Sequence, residues 1–111
     1  GHAVEQVSGY AVRHGDAVAI GLTAAARLSA ALEECSPSLP KVVEMVLARL
    51  GLPTHIPPTL DPAALFAAMS TDKKRAAGRL RFVLIRDIGD VFVRGGVPRE
   101  MVLEVLESCR A

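Results

Sequence analysis

From Ala17 to Leu32 the chain is nearly free of charge. Ala17, Ile20, Gly21, Ala24, Leu28 and Ala31 recur at helical spacing on one face, and Val18, Leu22, Ala25 and Leu32 on the next. A stripe that wide predicts a helix, from about Gly15 to Glu34, buried on more than one side. Gly21 and the alanines would let another helix approach closely, and Arg27 marks the one wet edge. Upstream, residues 1–13 pattern as a helix with Ala3, Val4 and Val7 inward, broken by a turn at Ser8-Gly9.

Downstream, Cys35 to Pro40 has loop composition. Val43, Val46, Leu47 and Leu50 predict a third helix, from about Pro40 to Leu50, with Pro40 near its first position and Gly51 as its C′ residue. The three prolines between Leu52 and Leu60 require an irregular crossing. Asp61-Pro62 starts a short helix with Leu65, Phe66 and Met69 inward. Residues 71–79 pattern as a polar turn. Leu80–Ile85 and Val91–Val93 are the strand candidates, and Asp87-Ile88-Gly89-Asp90 joins them as a hairpin (residues ~80–94). Two strands alone are marginal, so the hairpin must pack on helices. Gly95-Gly96 ends it, and Pro98 opens a last helix with Val102, Val105, Leu106 and Cys109 inward. The expected fold is mainly α: five helices and one small antiparallel hairpin in a single domain, residues 1–111.

Length and composition sharpen this picture in three ways. The 111 residues suffice for one domain with one core. Half are hydrophobic but only four are aromatic, which suits closely packed helices. Thirteen basic against twelve acidic residues give a net charge of +1, unlike a general nucleic-acid binder. No stretch reaches the roughly 18–20 apolar residues of a membrane span. The two cysteines, Cys35 and Cys109, lack ligand-like spacing and pattern as reduced thilos of a cytoplasmic protein, although a disulfide stays open.

Candidate chemistry falls in three places. His14, two residues before Asp16, stands at the mouth of the buried helix. It suits a metal ligand or proton-transfer group, or it simply caps or packs there; a catalytic zinc site needs three protein ligands. Asp16 gains from the helix dipole in either case. His2 is a general acid/base or the end of an appended Gly-His tag, and His55, in the proline-rich crossing, is surface decoration. Lys73, Lys74, Arg75, Arg79 and Arg81 place five basic residues in nine positions. They form either an anion clamp for phosphate or carboxylate, or a solvated loop.

Together these segments carry a resemblance. Gly1-His2-Ala3-Val4-Glu5 and His14-Gly15-Asp16-Ala17-Val18-Ala19-Ile20-Gly21-Leu22 resemble the GHAxE and HGEAVAxGM motifs of the 3-dehydroquinate synthase family. Asp72-Lys73-Lys74, Gly78, Leu80-Arg81-Phe82-Val83-Leu84 and Ile88-Gly89 resemble its DKK…G…RFVL…IG run, and Gly51-Leu52-Pro53 its GLP connection. The resemblance spans essentially the whole chain. It implies the carboxy-terminal helical domain of a two-domain lyase of the shikimate pathway, which makes aromatic amino-acid precursors. In that family NAD sits on an amino-terminal α/β domain, and zinc (or cobalt) and substrate lie in the cleft between the domains. The implied reaction takes 3-deoxy-D-arabino-heptulosonate 7-phosphate to 3-dehydroquinate and phosphate through oxidation, elimination, reduction, ring opening and aldol closure.

Matched residue by residue, His14 corresponds to a zinc ligand. His2 corresponds to a substrate-contacting proton-relay residue. Lys73 and Lys74 correspond to a pair of which one meets the substrate phosphate. Asp16 stands where the family usually has Glu, which keeps the charge and alters the reach. The resemblance places two further zinc ligands and the NAD site upstream of residue 1, so the chain alone is expected neither to hold zinc tightly nor to turn over. It lacks a starting Met and opens in mid-motif. The expected partners are the sugar phosphate, the amino-terminal domain and, through an exposed cleft face, a second copy of the chain; nucleic acid and membrane are not expected. The competing expectations are a related sugar-phosphate cyclase of the 2-epi-5-epi-valiolone or 2-deoxy-scyllo-inosose synthase type, and a stand-alone helical binding module.

Overall fold

The computed structural model describes residues 2–70, 81–87 and 89–110. Among them are five helices and two strands: α1 (His2–Val7), α2 (His14–Ala31), α3 (Leu39–Arg49), α4 (Pro62–Ser70), β1 (Arg81–Asp87), β2 (Asp90–Gly95) and α5 (Arg99–Ser108). The mainly helical fold with one antiparallel hairpin is the expected one. The polar turn predicted at 71–79 lies outside the described residues, as do Leu80 and Ile88.

The central element is α2. Ala17, Ile20 and Leu28 join Ala3 and Val4 of α1, Leu65 of α4, Leu84 of β1 and Val102, Val105 and Leu106 of α5 in the main core. Ala19 and Ala26, on its other side, join Leu39, Val43 and Leu47 of α3 and Ile85 of β1 in a second core. Small residues at these positions let α3 and the hairpin approach α2 closely. Burial on more than one side is therefore correct, but each predicted face is only partly covered: Ala25 and Leu32 of the second face pack against the cores, whereas Val18 and Leu22 of that face and Ala31 of the first are exposed.

On α3 the stripe is Leu39, Val43 and Leu47. Val46 and Leu50, expected inward, are exposed together with Val42 and Met45. The reason is the number of neighbours. Helix α3 packs along α2 alone among the described elements with substantial contact, so one i, i+4 row suffices. Arg27 also departs from expectation. Its side chain is only 24% exposed, and it donates to the Glu44 carboxylate of α3 at 2.7 Å and to the Ser108 carbonyl at the end of α5 at 2.8 Å. The residue expected to mark a wet edge fastens three helices.

Three helices end in the same way. After α1, Gly9 takes φ 65°, its N–H reaches Gln6 O at 3.0 Å, and Tyr10 N–H reaches Glu5 O at 2.7 Å. After α3, the predicted C′ residue Gly51 takes φ 75°, with Leu52 N–H on Leu47 O at 3.0 Å. Both use glycine where φ must be positive. After α2 the same residue position is Glu33, at φ 58°, with Glu34 N–H on Ser29 O at 2.9 Å. A side chain in this region costs roughly 1–2 kcal/mol. Glu33→Gly should therefore raise stability by up to about 1 kcal/mol, net of glycine's extra chain entropy, measured as a higher midpoint in urea.

The hairpin pairs Val83 with Val93 and Ile85 with Val91, with an irregularity between Ile85 and Asp87. Leu84 on one face enters the main core and Ile85 on the other enters the second. Ser29 of α2 locks it in place. Its buried hydroxyl donates to Ala25 O at 2.7 Å and accepts from Ile85 N–H at 3.0 Å. Ser29→Ala strands that buried N–H and should cost about 1–3 kcal/mol; guanidinium unfolding reads the loss directly. The proline-rich crossing is pinned to the end of α5, where Ile56 N–H meets Cys109 O at 2.7 Å.

Candidate functional site

The residues around the first turn are placed by backbone geometry. Two consecutive left-handed residues, Gly9 and Tyr10, reverse the chain after α1. Ser8 closes the loop by donating its hydroxyl to Glu5 O at 3.1 Å and accepting from Val12 N–H at 3.3 Å. Arg13 is extended, and α2 begins at His14. The turn returns His14 to the last part of α1, where its Nδ1 lies 3.2 and 3.3 Å from the two carboxylate oxygens of Glu5. The imidazole is 78% exposed and the Glu5 side chain only 17%. Asp16 lies in the first turn of α2 and pairs loosely with Arg13 at 3.7 Å. The charge retained at the Asp16 position is thus turned towards Arg13, with the helix N-terminus beside it.

His2 opens α1 and is exposed. It borders a cavity of about 510 Å³ bounded by α1, α2, α4, α5 and the hairpin, with Gly21, Leu65, Met69, Phe82 and Val93 among its walls. His2 is the one polar side chain among the described residues lining it. Apart from His2, walls of that kind offer a charged or hydroxylated ligand no side-chain partners. His14 lies beyond that lining, on the adjacent helix. Lys73 and Lys74, the expected phosphate contacts, lie outside the described residues.

The remaining candidates are structural. His55 is on the surface as expected, its Nδ1 2.9 Å from Thr54 Oγ1 and its Nε2 3.8 Å from Glu44. Cys35 and Cys109 are free thiols. Burial pushes the Cys109 thiol up, a push that Arg27 and the Ser108 hydroxyl oppose and Glu44 reinforces. Burial likewise raises Cys35, with Asp87 adding to it. Neither is an activated nucleophile.

Sequence reasoning missed Glu5. Nine residues separate it from His14, and only the reversal at Ser8-Gly9 signals that the two can meet. A carboxylate on one ring nitrogen is the arrangement that a metal-ligating histidine characteristically has on its second nitrogen. The donor chemistry fits one ligand of a zinc site. Among the described residues no group of three His, Cys, Asp or Glu side chains is placed to hold a metal ion.

A family profile described as 3-dehydroquinate synthase C-terminal matches residues 1–75. The chain is 44% identical to the 3-dehydroquinate synthase of a Synechococcus strain over 97% of its length. It is 46% identical to that of Xanthomonas axonopodis pv. citri over 96%, and 40% identical to that of Dehalococcoides mccartyi over 99%. In each case it spans 30% of the relative's length.

Proposed function

Since this chain belongs to the 3-dehydroquinate synthase C-terminal family, we propose that it works as the carboxy-terminal domain of a two-domain enzyme that converts 3-deoxy-D-arabino-heptulosonate 7-phosphate to 3-dehydroquinate and phosphate. One observation supports this most: an exposed imidazole, backed by a carboxylate, at the start of the most buried helix of the fold. A long helix held in two cores is a stiff mount, and catalytic groups must be held to within a fraction of an ångström.

In the proposed enzyme zinc, held by His14 together with ligands from outside this chain, and NAD, held wholly outside it, supply charge stabilisation at oxygen and reversible hydride transfer. The chain's own residues do the rest. With Nδ1 on Glu5, the exposed ring of His14 leaves Nε2 for the metal. His2, exposed at the rim, is placed to carry protons between substrate and solvent. Lys73 and Lys74 supply cations for the phosphate, as a dianionic leaving group requires. The apolar walls beneath His2 keep water from that side of the cleft. A cytoplasmic setting accords with the two free thiols.

The test is phosphate release by the full-length polypeptide with NAD and zinc. Turnover of the heptulosonate phosphate is expected, and the Lys73→Ala, Lys74→Ala double variant should raise KM about 10-fold or more, as loss of a charge-assisted hydrogen bond implies. Turnover confined to another sugar phosphate would assign a related cyclase instead. No turnover of any sugar phosphate would leave a binding module.

A further inference from the structure

We propose that Glu5 is the positioning residue for His14: its carboxylate accepts a hydrogen bond from Nδ1–H and so fixes the ring in the tautomer that offers a bare Nε2 to a divalent metal. The inference rests on the metal-ligand role given to His14 above and adds a residue to it.

Four observations carry it. Both Glu5 oxygens lie within 3.3 Å of the same nitrogen, Nδ1. Among the described residues His14 is the one hydrogen-bond partner of that carboxylate, and Nε2 has none. The burial is asymmetric, with the carboxylate largely enclosed and the ring exposed. Glu5 is also anchored through its backbone, since its carbonyl accepts from both Tyr10 N–H and the Ser8 hydroxyl. An ordinary surface ion pair joins two mobile side chains and contributes about 0–1 kcal/mol. Here one partner is fixed by a closed turn and the other begins a rigid helix.

The nitrogen that carries the proton in a neutral imidazole is set by the hydrogen bond made at the other. A free Nδ1 would leave the ring to choose, and a proton on Nε2 blocks coordination. A carboxylate on Nδ1 removes that choice. The turn Ser8-Gly9-Tyr10 is then part of the metal site although none of its side chains would touch metal.

The experiment uses the full-length protein in two arms. In zinc-free protein with ¹⁵N-labelled histidine, at a pH where the ring is neutral, His14 should show Nδ1 protonated and Nε2 bare. The Glu5→Ala variant should shift it towards the Nε2–H form. Zinc affinity, measured by competition with a chromophoric chelator, should fall about 10–100-fold in Glu5→Ala and less in Glu5→Gln, which keeps an acceptor oxygen. An Nε2–H tautomer in the parent protein would overturn the proposal without any variant. So would unchanged affinity in both Glu5 variants while His14→Ala loses zinc, a result that would leave the metal role of His14 standing. If His14→Ala keeps its zinc, the metal role falls and the positioning role with it.

Discussion

His14→Ala in the full-length polypeptide should lower the proposed turnover by about 100- to 1,000-fold while leaving the fold intact. The size follows from the role. Metal polarisation of an oxygen is worth several kcal/mol of transition-state stabilisation, and each 1.36 kcal/mol is tenfold in rate. The preservation of the fold follows from the position. Among the described residues the exposed ring makes its one polar contact with Glu5, so its loss should cost about 1 kcal/mol, too little to unfold the domain. The two readouts together separate a ligand from a helix cap. Loss of a cap would lower stability by about 0.5–2 kcal/mol and leave turnover of the folded fraction intact. The N-cap position itself is Arg13, which makes no side-chain capping bond.

Ile20→Ala should have the opposite signature. Ile20 is 2% exposed and sits where α2 meets the main core. Truncating it removes three carbons and leaves a hole that surrounding elements fill incompletely. Such changes cost about 2–5 kcal/mol, a large share of the roughly 5–15 kcal/mol of a typical domain. A drop of about 10 °C or more in melting temperature follows. Val46→Ala, on the exposed side of α3, is the control and should lie within about 0.5 kcal/mol of the parent. A melting temperature within a degree or two of the parent for Ile20→Ala would mean that α2 is not the post on which the domain is built.

Most of the fold was legible because its elements are punctuated. Gly51, Pro62 and Pro98 each mark a helix boundary close to where the structure has one. What the pattern does not carry is how many neighbours a helix has. Val46 and Leu50 share helical spacing with Val43 and Leu47, yet only the side facing α2 is covered. Arg27 departs from its pattern for a related reason. A charged residue in an apolar run suggests solvent, but its fork matches Glu44 and the Ser108 carbonyl, partners 17 and 81 residues away.

The apolar pattern carries α2 on to Glu34, whereas the helix ends at Ala31. Glu33 has no sequence mark of a terminus; its positive φ is imposed by the bonds from Glu33 and Glu34 back to Ala30 and Ser29. For the site, His14 stood out by its place before the apolar run. Glu5 did not, since its role exists only once the chain has turned at Gly9. The hold of Ser29 on Ile85 is equally invisible in sequence, because a serine inside a helix has the same spacing whether it faces water or a strand.

Crystallography of the full-length zinc-bound protein, with anomalous scattering recorded across the zinc edge, tests the central claim most directly. A metal peak bonded to His14 Nε2, with Glu5 still on Nδ1 and the remaining protein ligands drawn from outside this chain, is the result expected. Zinc bound at other residues, with the His14 ring free of it, would contradict the account.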